Sequence, residues 1–218
     1  ELLKELLFKT ADLPDAASPV RFRISSIEPE CIDEKLLQVI ATANGRVCRH
    51  LHLPLQAGSS KVLREMARRY SADQFKQLVD TIYRFVPTMS LSTDIIVGFP
   101  GETDNEFQET LDLAAACRFS KIHVFPYSMR EGTPAAKRPD QVPAEVKQKR
   151  ATRLRGLSDE LALVDFEHRV GTYESVIIER DFALTESYHE IERPAIGAVG
   201  DLVSLKLESN MLRSQQSE

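Results

Sequence analysis

Histidine and glutamine side chains alternate with leucines in the segment RHLHLPLQ, residues 49–56. In an extended strand this spacing places His50, His52 and Gln56 on one face and the leucines on the other. Two histidines at positions i and i+2 could ligate a metal ion, but no third ligand is visible at a plausible spacing, so we predict no metal site. We expect the two imidazoles to form hydrogen bonds inside a polar barrel interior.

Polar side chains also mark the corresponding ends of three further predicted strands: Glu28, Asp94, His123, Tyr127 and, in the next loop, Arg130. A buried Asp94 carboxylate requires a partner, for which Arg23 or a histidine of the adjacent strand is suitable. An ion pair with a neighbouring arginine would equally explain Glu28. The recurrence at four strand ends predicts one binding site.

The segment TDIIVGFPGET, residues 93–103, has the pattern of a buried strand, a tight turn and a helix start. Gly98 and Gly101 allow the backbone to approach another group closely. Thr103 with Glu106 three residues later is a capping-box pattern. Ligands bind at such strand ends in α/β folds, although a βα turn without a ligand explains the segment equally well.

The elements that must position these residues alternate between strand and helix from residue 20 to residue 166, which predicts an α/β fold with parallel strands. The predicted strands are residues 21–29, 49–56 and 89–100, and a fourth strand with its polar loop spans residues 121–133. After Gly171 come three runs of β-type composition, YESVIIERDF, YHEIERPA and GDLVSLKLE, which predict a small antiparallel β module. We therefore divide the chain into an α/β domain, residues 1–170, and a β module, residues 171–218.

Length and composition restrict the class of protein. The 218 residues contain no apolar stretch of the length that a membrane span needs and no leader pattern, so we expect a cytoplasmic protein without a membrane partner. The chain begins at Glu1, within the helix-like LLKELL, which indicates a piece of a longer protein. The three cysteines are far apart and form no metal or disulfide pattern.

Charge is distributed unevenly, although the net charge is only -5. Residues 46–76 and 129–155 are rich in Lys and Arg, whereas residues 159–218 are strongly acidic. A solvated helix face is one explanation of each basic block, and contact with RNA phosphates is the other. The candidate RNA-binding residues are Arg64, Arg68, Arg69, Lys137, Arg138, Lys147 and Arg150.

Four motifs occur in this order: RISSIEP, HLHLPLQAGSSKVLREMARRY, STDIIVGFPGET and HVFPYSMREGTPA. Together they closely resemble the radical S-adenosylmethionine methylthiotransferases over nearly the whole chain. The ISSIEP form most resembles the branch that modifies N6-threonylcarbamoyladenosine beside the tRNA anticodon. The resemblance implies a partial (β/α) radical-SAM barrel followed by a β module similar to the RNA-contacting TRAM domain.

The resemblance also implies a reaction. A 4Fe-4S cluster cleaves S-adenosylmethionine, the resulting radical abstracts hydrogen from an adenine carbon, and sulfur and a methyl group are added there. Tyr127, His52 and Asp94 would act on the tRNA substrate. The cofactor-binding residues, carried over by motif, would be Gln56, Ser59, Gly98, Gly101 and Glu102, with Glu28 and Arg130 near the mouth. The resemblance does not identify the donors of sulfur and electrons.

Three departures from the family pattern restrict these expectations. The cluster-binding C-x-x-x-C-x-x-C triad is absent, so we expect this chain alone to be inactive. Ala57 replaces the usual serine, and the β module is acidic, which disfavours an RNA contact there. The alternatives are a non-catalytic RNA-binding module, a methylthiotransferase for another modified adenosine or a ribosomal protein, and an unrelated barrel enzyme for a small polar substrate.

Overall fold

The computed structural model describes residues 1–11 and 20–213. The α-helices of this part are α1 Leu2–Lys9, α2 Glu34–Thr42, α3 Ser60–Glu65, α4 Ala72–Phe85, α5 Asp104–Cys117 and α6 Ala144–Glu167. The strands are β1 His50–His52, β2 Ser90–Val97, β3 Lys121–Pro126, β4 Tyr173–Ile178, β5 Phe182–Thr185, β6 Glu190–Glu192 and β7 Leu202–Lys206. None of the described helices is long and apolar enough to cross a membrane.

Strands β1, β2 and β3 form a parallel sheet in that order, as the βα pattern predicts. The strand predicted at residues 21–29 is reduced to two isolated parallel bridges, Phe22 with Val47 and Ser26 with His52. Residues 21–29 form backbone hydrogen bonds near their two ends only, at Phe22 with the residues before β1 and at Ile27 with His52 of β1. A 3₁₀ helix then begins at Pro29. The segment nevertheless lies beside β1, so the predicted order of four neighbouring segments is confirmed.

The leucines of the alternating segment pack into the main hydrophobic core, and Leu51, Leu53 and Leu55 are all buried there. Helix α4 contributes Phe75, Val79 and Ile82 to the same core. Side-chain burial of this kind is the largest favourable contribution to folding. The core therefore fixes which face of the sheet carries the polar side chains.

Capping residues start the outer helices, and the capping box predicted at Thr103 and Glu106 is confirmed. Asp33 accepts a hydrogen bond from Leu36 N and begins α2. Ser71 begins α4 and Thr103 begins α5, each with a complete capping box. These side chains satisfy amide groups that have no partner within the helix.

Strands β4–β7 form a separate antiparallel sheet in the order β6-β5-β4-β7, which confirms the predicted β module. The sheet has four strands rather than the three predicted runs. The run YESVIIERDF is divided because Glu179 N bonds to Phe182 O and closes a tight turn between β4 and β5. Phe166 of α6 packs into the small core of this sheet, with Val176 and Ile191.

Charged and aromatic contacts join the β module to the α/β domain. The Glu186 carboxylate pairs with both Arg21 and Arg49. The ring of Tyr188 stacks on that of His50, with ring centroids 4.4 Å apart. The β module is therefore packed against the amino-terminal edge of the parallel sheet, at the end of β1 where Arg49 and His50 lie.

Candidate functional site

The side chains of His52, Asp94 and His123 meet on one face of the parallel sheet. Asp94 is the register partner of His123 on β3, and His52 is paired with Ser92, two residues before Asp94. His52 Nε2 lies 3.4 Å from Asp94 Oδ2, and the rings of His52 and His123 have centroids 5.7 Å apart. Three neighbouring strands thus supply one cluster of two imidazoles and a carboxylate.

Ser92 connects two histidines behind this cluster. Its Oγ lies 2.9 Å from His50 Nε2 and 2.9 Å from His52 Nδ1. Burial, with a smaller contribution from Arg23, lowers the pKa of His50 to about 3, so its imidazole is neutral. Ser92 is not among the residues predicted from the sequence, and only its register position opposite His52 identifies it.

Asp94 has a histidine partner, one of the two alternatives that the sequence left open. Arg23 lies elsewhere, because its guanidinium donates to the carbonyl oxygens of Thr185 and Glu186 in the β module. Burial, with a contribution from Lys121, lowers the pKa of His123, although the Asp94 carboxylate acts in the opposite direction. The cluster therefore combines an anionic oxygen donor with a nitrogen donor that stays neutral at neutral pH.

Tyr127, expected to act on the substrate, lies apart from the cluster. Its ring packs edge-on against Phe99, at 5.4 Å between centroids, and its carbonyl oxygen accepts a hydrogen bond from Lys147 Nζ. The Tyr127 hydroxyl is buried and has no hydrogen-bond partner among the described residues. The geometry therefore joins Asp94 and His52 with His123, and does not join Tyr127 to them.

The turn after β2 is held by its own acidic residue. The Glu102 carboxylate accepts from Gly98 N and pairs with Arg150 Nη1 at 3.0 Å. Burial raises the pKa of Glu102, and its bonds to Gly98 and Arg150 oppose that effect. Gly98 and Gly101 have φ of 73° and 79°, and Gly101 N donates to Asp140 O. Glu102 Oε2 and both glycine amides are thus engaged within the protein, whereas Glu102 Oε1 is buried without a hydrogen-bond partner among the described residues.

Other predicted cofactor-binding residues line the carboxyl ends of the strands. Gln56 has φ of 68°, and its backbone bonds to Asp94 O and Ile96 N on β2. Its side chain makes no hydrogen bond within the described chain, which leaves the amide available to a ligand. Ser59 is buried at the start of α3, without a side-chain capping bond.

The two residues predicted at the mouth differ in their surroundings. Glu28 lies 3.4 Å from Arg68 Nη1 in an exposed ion pair, as the alternative explanation of Glu28 required. Arg130 is exposed in the loop after β3. Both positions follow the carboxyl ends of their strand segments, on the same edge of the sheet as Gln56.

Six of the seven predicted RNA-binding residues fall into two groups: some are exposed, and the others are held by contacts within the protein. Arg64, Arg69 and Lys137 are exposed, and Arg68 is half-buried beside Glu28. Arg138 pairs with Asp140 and Glu65, and the Lys147 ammonium donates to Tyr127 O.

Arg150 requires a correction, because its side chain is buried rather than on the surface. Its guanidinium donates to Glu102 and to Asp104, and a surface phosphate could not reach it without breaking these pairs. The sequence pattern could not show this, since it gives charge along the chain and not the side of α6 that faces the core.

The cysteines do not fit an iron-sulfur cluster. Cys31 is exposed, whereas Cys48 and Cys117 are buried at separate places, and burial raises the pKa of Cys117 to about 12. A cluster requires several thiolates close together. Within residues 1–11 and 20–213, the group of side chains that could hold a metal ion is His52, Asp94 and His123.

A sequence model described as the Radical SAM superfamily matches residues 2–114, which include α1 to α4, strands β1 and β2 and most of α5. The chain belongs to the radical S-adenosylmethionine superfamily. The resemblance identified from the four motifs is thereby confirmed at the level of the superfamily, and strands β1 to β3 with their helices form part of its barrel.

Curated relatives of this radical S-adenosylmethionine protein modify tRNA, according to their names. A tRNA-2-methylthio-N(6)-dimethylallyladenosine synthase of Anoxybacillus flavithermus is 42% identical over 179 residues, which cover 82% of this chain and 32% of the relative. The threonylcarbamoyladenosine tRNA methylthiotransferase MtaB of Bacillus subtilis is 42% identical over 159 residues, 73% of this chain and 34% of the relative. The chain thus spans about a third of the length of these relatives.

A solved structure supports the fold. The radical SAM enzyme coproporphyrinogen III oxidase (HemN) of Escherichia coli aligns with a TM-score of 0.53 and 17% identity, over 88% of this chain and 51% of that one. At this identity the similarity concerns the fold, which it confirms for the partial barrel.

Proposed function

We propose that the chain is part of a tRNA methylthiotransferase that acts on N6-threonylcarbamoyladenosine beside the anticodon. The observation that carries this proposal is the convergence of His52, Asp94 and His123 on the inner sheet face of a radical S-adenosylmethionine barrel. The 42% identity to relatives named as tRNA methylthiotransferases supports the reaction class. The enzyme would work in the cytoplasm, where tRNA is modified.

The roles of individual residues follow from their positions. Asp94 and His52 are half-buried, with 31% and 16% of their side chains exposed, so a base entering the barrel could contact both. The Asp94 carboxylate is suited to accept a hydrogen bond or a proton from the base. Tyr127 would act on substrate only if its ring left Phe99.

S-adenosylmethionine would bind at the carboxyl edge of the sheet. The unpaired Gln56 amide and the Ser59 hydroxyl would hold it there, with the turn from Gly98 to Glu102 keeping the strand ends in place. When bound, S-adenosylmethionine supplies both the methyl group and the radical that activates the adenine carbon. The 4Fe-4S clusters would be held by residues outside this chain, since Cys31, Cys48 and Cys117 do not form a ligand set.

The threonylcarbamoyl branch is the more specific part of the proposal. It is supported by the ISSIEP motif and by the similarity to MtaB of Bacillus subtilis, which covers 73% of the chain. The dimethylallyladenosine synthases of similar identity favour the other modified adenosine as the competing substrate. The reaction is the same for both, so substrate choice must depend on contacts with the group at N6 of the base.

The experiment is a comparison of two tRNA substrates. The full-length protein, of which we propose this chain is a part, would be reconstituted without oxygen and given tRNA carrying threonylcarbamoyladenosine or dimethylallyladenosine. Mass spectrometry of the digested nucleosides would measure the methylthio product. We expect product from the threonylcarbamoyl substrate alone. Product from the dimethylallyl substrate alone would refute the branch, and product from neither would refute the reaction.

A further inference from the structure

We propose that His52, Asp94 and His123 form a binding site for one divalent transition-metal ion, such as Zn²⁺, on the inner face of the parallel sheet. The three ligand atoms all lie within 4.8 Å of one another. Each comes from a different strand, β1, β2 and β3, so the parallel register defines the site. The inference rests on this geometry and does not depend on the proposed function.

The spacing of His52 and Asp94 matches two ligands of one ion better than a hydrogen bond. The distance of 3.4 Å between His52 Nε2 and Asp94 Oδ2 exceeds the usual N–H···O range of about 2.7–3.2 Å. Two ligands with bonds of about 2.05 Å to a tetrahedral ion are about 3.3 Å apart. Binding would then require the third ligand, from His123, to move by a distance on the order of 1 Å, which a side-chain rotation provides.

The hydroxyl of Ser92 supports His52 as a ligand. It lies 2.9 Å from His52 Nδ1. In the tautomer with the proton on Nδ1, the N–H donates a hydrogen bond to Ser92 Oγ, and the lone pair of Nε2 is directed toward Asp94. The Ser92 hydroxyl can in turn donate to His50 Nε2, also 2.9 Å away. Metal-binding histidines commonly have such a partner for their second nitrogen, which fixes the ring. Ser92 is therefore a positioning residue of the proposed site.

The donor set predicts which ions bind. Two imidazoles and one carboxylate suit Zn²⁺, Co²⁺ or Fe²⁺, whereas Mg²⁺ and Ca²⁺ prefer an all-oxygen set. Three protein ligands would leave one position open for water or for a substrate atom. The partial exposure of His52 and Asp94 gives an ion a path to the site.

The test uses the 218-residue chain with Cys31→Ser, because an exposed thiolate could bind Zn²⁺ on its own. After treatment with a chelator, Zn²⁺, Co²⁺ and Mg²⁺ would each be titrated by calorimetry, and the Co²⁺ complex would be measured by absorption. We expect saturable binding of about one Zn²⁺ or Co²⁺ per chain and no binding of Mg²⁺. Absence of Zn²⁺ and Co²⁺ binding would overturn the proposal.

Variants locate the ion. Asp94→Asn and His123→Gln should each weaken Zn²⁺ binding by more than about 100-fold, and Ser92→Ala by about 10- to 100-fold. His168→Ala is the matched control, because His168 is exposed at the end of α6. Equal affinity of Asp94→Asn, His123→Gln and the control would overturn the proposal.

A measurement on the unsubstituted site makes the test independent of how the variants fold. X-ray absorption of the Zn²⁺ complex should show two imidazoles and light-atom ligands at about 2.0–2.1 Å. Sulfur at about 2.3 Å would instead assign the ion to Cys48 or Cys117 and refute the site.

Discussion

His50 Nε2 lies 2.9 Å from Ser92 Oγ, and this places a buried neutral imidazole directly behind the candidate site. The same hydroxyl oxygen contacts His52 Nδ1, and the ring of His50 stacks on Tyr188 of the β module. A continuous line of contacts therefore runs from the β module through His50 and Ser92 to His52. The packing of the β module and the geometry of the site are physically connected.

The depressed pKa of His50 predicts how stability depends on pH. Burial lowers this pKa from 6.5 to about 3 in the folded protein, so only the unfolded chain takes up a proton between these values. The neutral His50 therefore lowers the free energy of unfolding only in acid: this free energy is unaffected above the pKa of 6.5 in the unfolded chain and decreases as pH falls below it. We expect a loss of about 1.4 kcal/mol per pH unit between about pH 6 and 4.

Urea unfolding at several pH values measures this contribution. His50→Gln should flatten the acid side of the stability profile by about that slope, whereas the exposed His168→Ala should leave it unchanged. Equal slopes for the two variants would show that His50 is not the group that titrates.

Two glycines with similar backbone angles offer a matched pair. Gly98 has φ of 73° and a Cβ there would lie 2.2 Å from Lys147 Cγ, whereas Gly45 has φ of 77° and nothing within 4 Å. Gly45→Ala should cost only the left-handed strain, about 1 kcal/mol in the free energy of unfolding, and Gly98→Ala should cost more. Lys147→Ala should recover the excess. A Gly98→Ala cost equal to that of Gly45→Ala would contradict the contact.

The exposed arginines before α4 should contact RNA phosphates. Arg64→Glu with Arg69→Glu should weaken tRNA binding and reduce the slope of log affinity against log salt by about two, because two phosphate contacts are lost. Arg84→Glu is the control, since Arg84 is exposed at the opposite end of α4. Filter binding at several salt concentrations measures both. An unchanged slope in the double variant would place the RNA surface elsewhere.

Arg150 should stabilise the folded protein through its buried ion pair with Glu102. Arg150→Met leaves the buried Glu102 carboxylate without its cation, so we expect a loss of about 3–5 kcal/mol in the free energy of unfolding. Adding Glu102→Gln should restore much of it. Arg153→Met, an exposed neighbour on α6, is the control and should cost less than about 1 kcal/mol. A loss no larger than that of the control would contradict the buried pair.

Most helices and strands could be predicted, because the residues that begin a helix or define one face of a strand lie close together in the sequence. The capping boxes at Ser71 and Thr103 fix two helix starts, and the alternating leucines fix the face of the 49–56 segment. The segment at residues 21–29 has β-type composition but pairs only near its ends, and the hairpin after β4 depends on a turn bond. Both outcomes depend on long-range or turn geometry, which composition does not report.

The candidate site was predictable only in part. Asp94 and His52 were identified from strand ends and alternation, but the third member, His123, was not recognised as a possible ligand. Its position opposite Asp94 depends on the register of β2 and β3, and a shift of one residue would turn His123 to the other face. The burial of Arg150 was likewise not readable, since it depends on how α6 packs against the turn at Glu102.

Asp94→Asn in the full-length protein, assayed for product and for tRNA binding, tests whether the reacting adenosine lies at His52 and Asp94. We expect methylthio product to fall by at least about 100-fold, because Asp94 would act at the reacting base, while tRNA affinity should change by less than a few fold. Nucleoside mass spectrometry and filter binding give the two values. Unchanged product, or an equal loss of product and affinity, would contradict the placement of the reacting adenosine at His52 and Asp94.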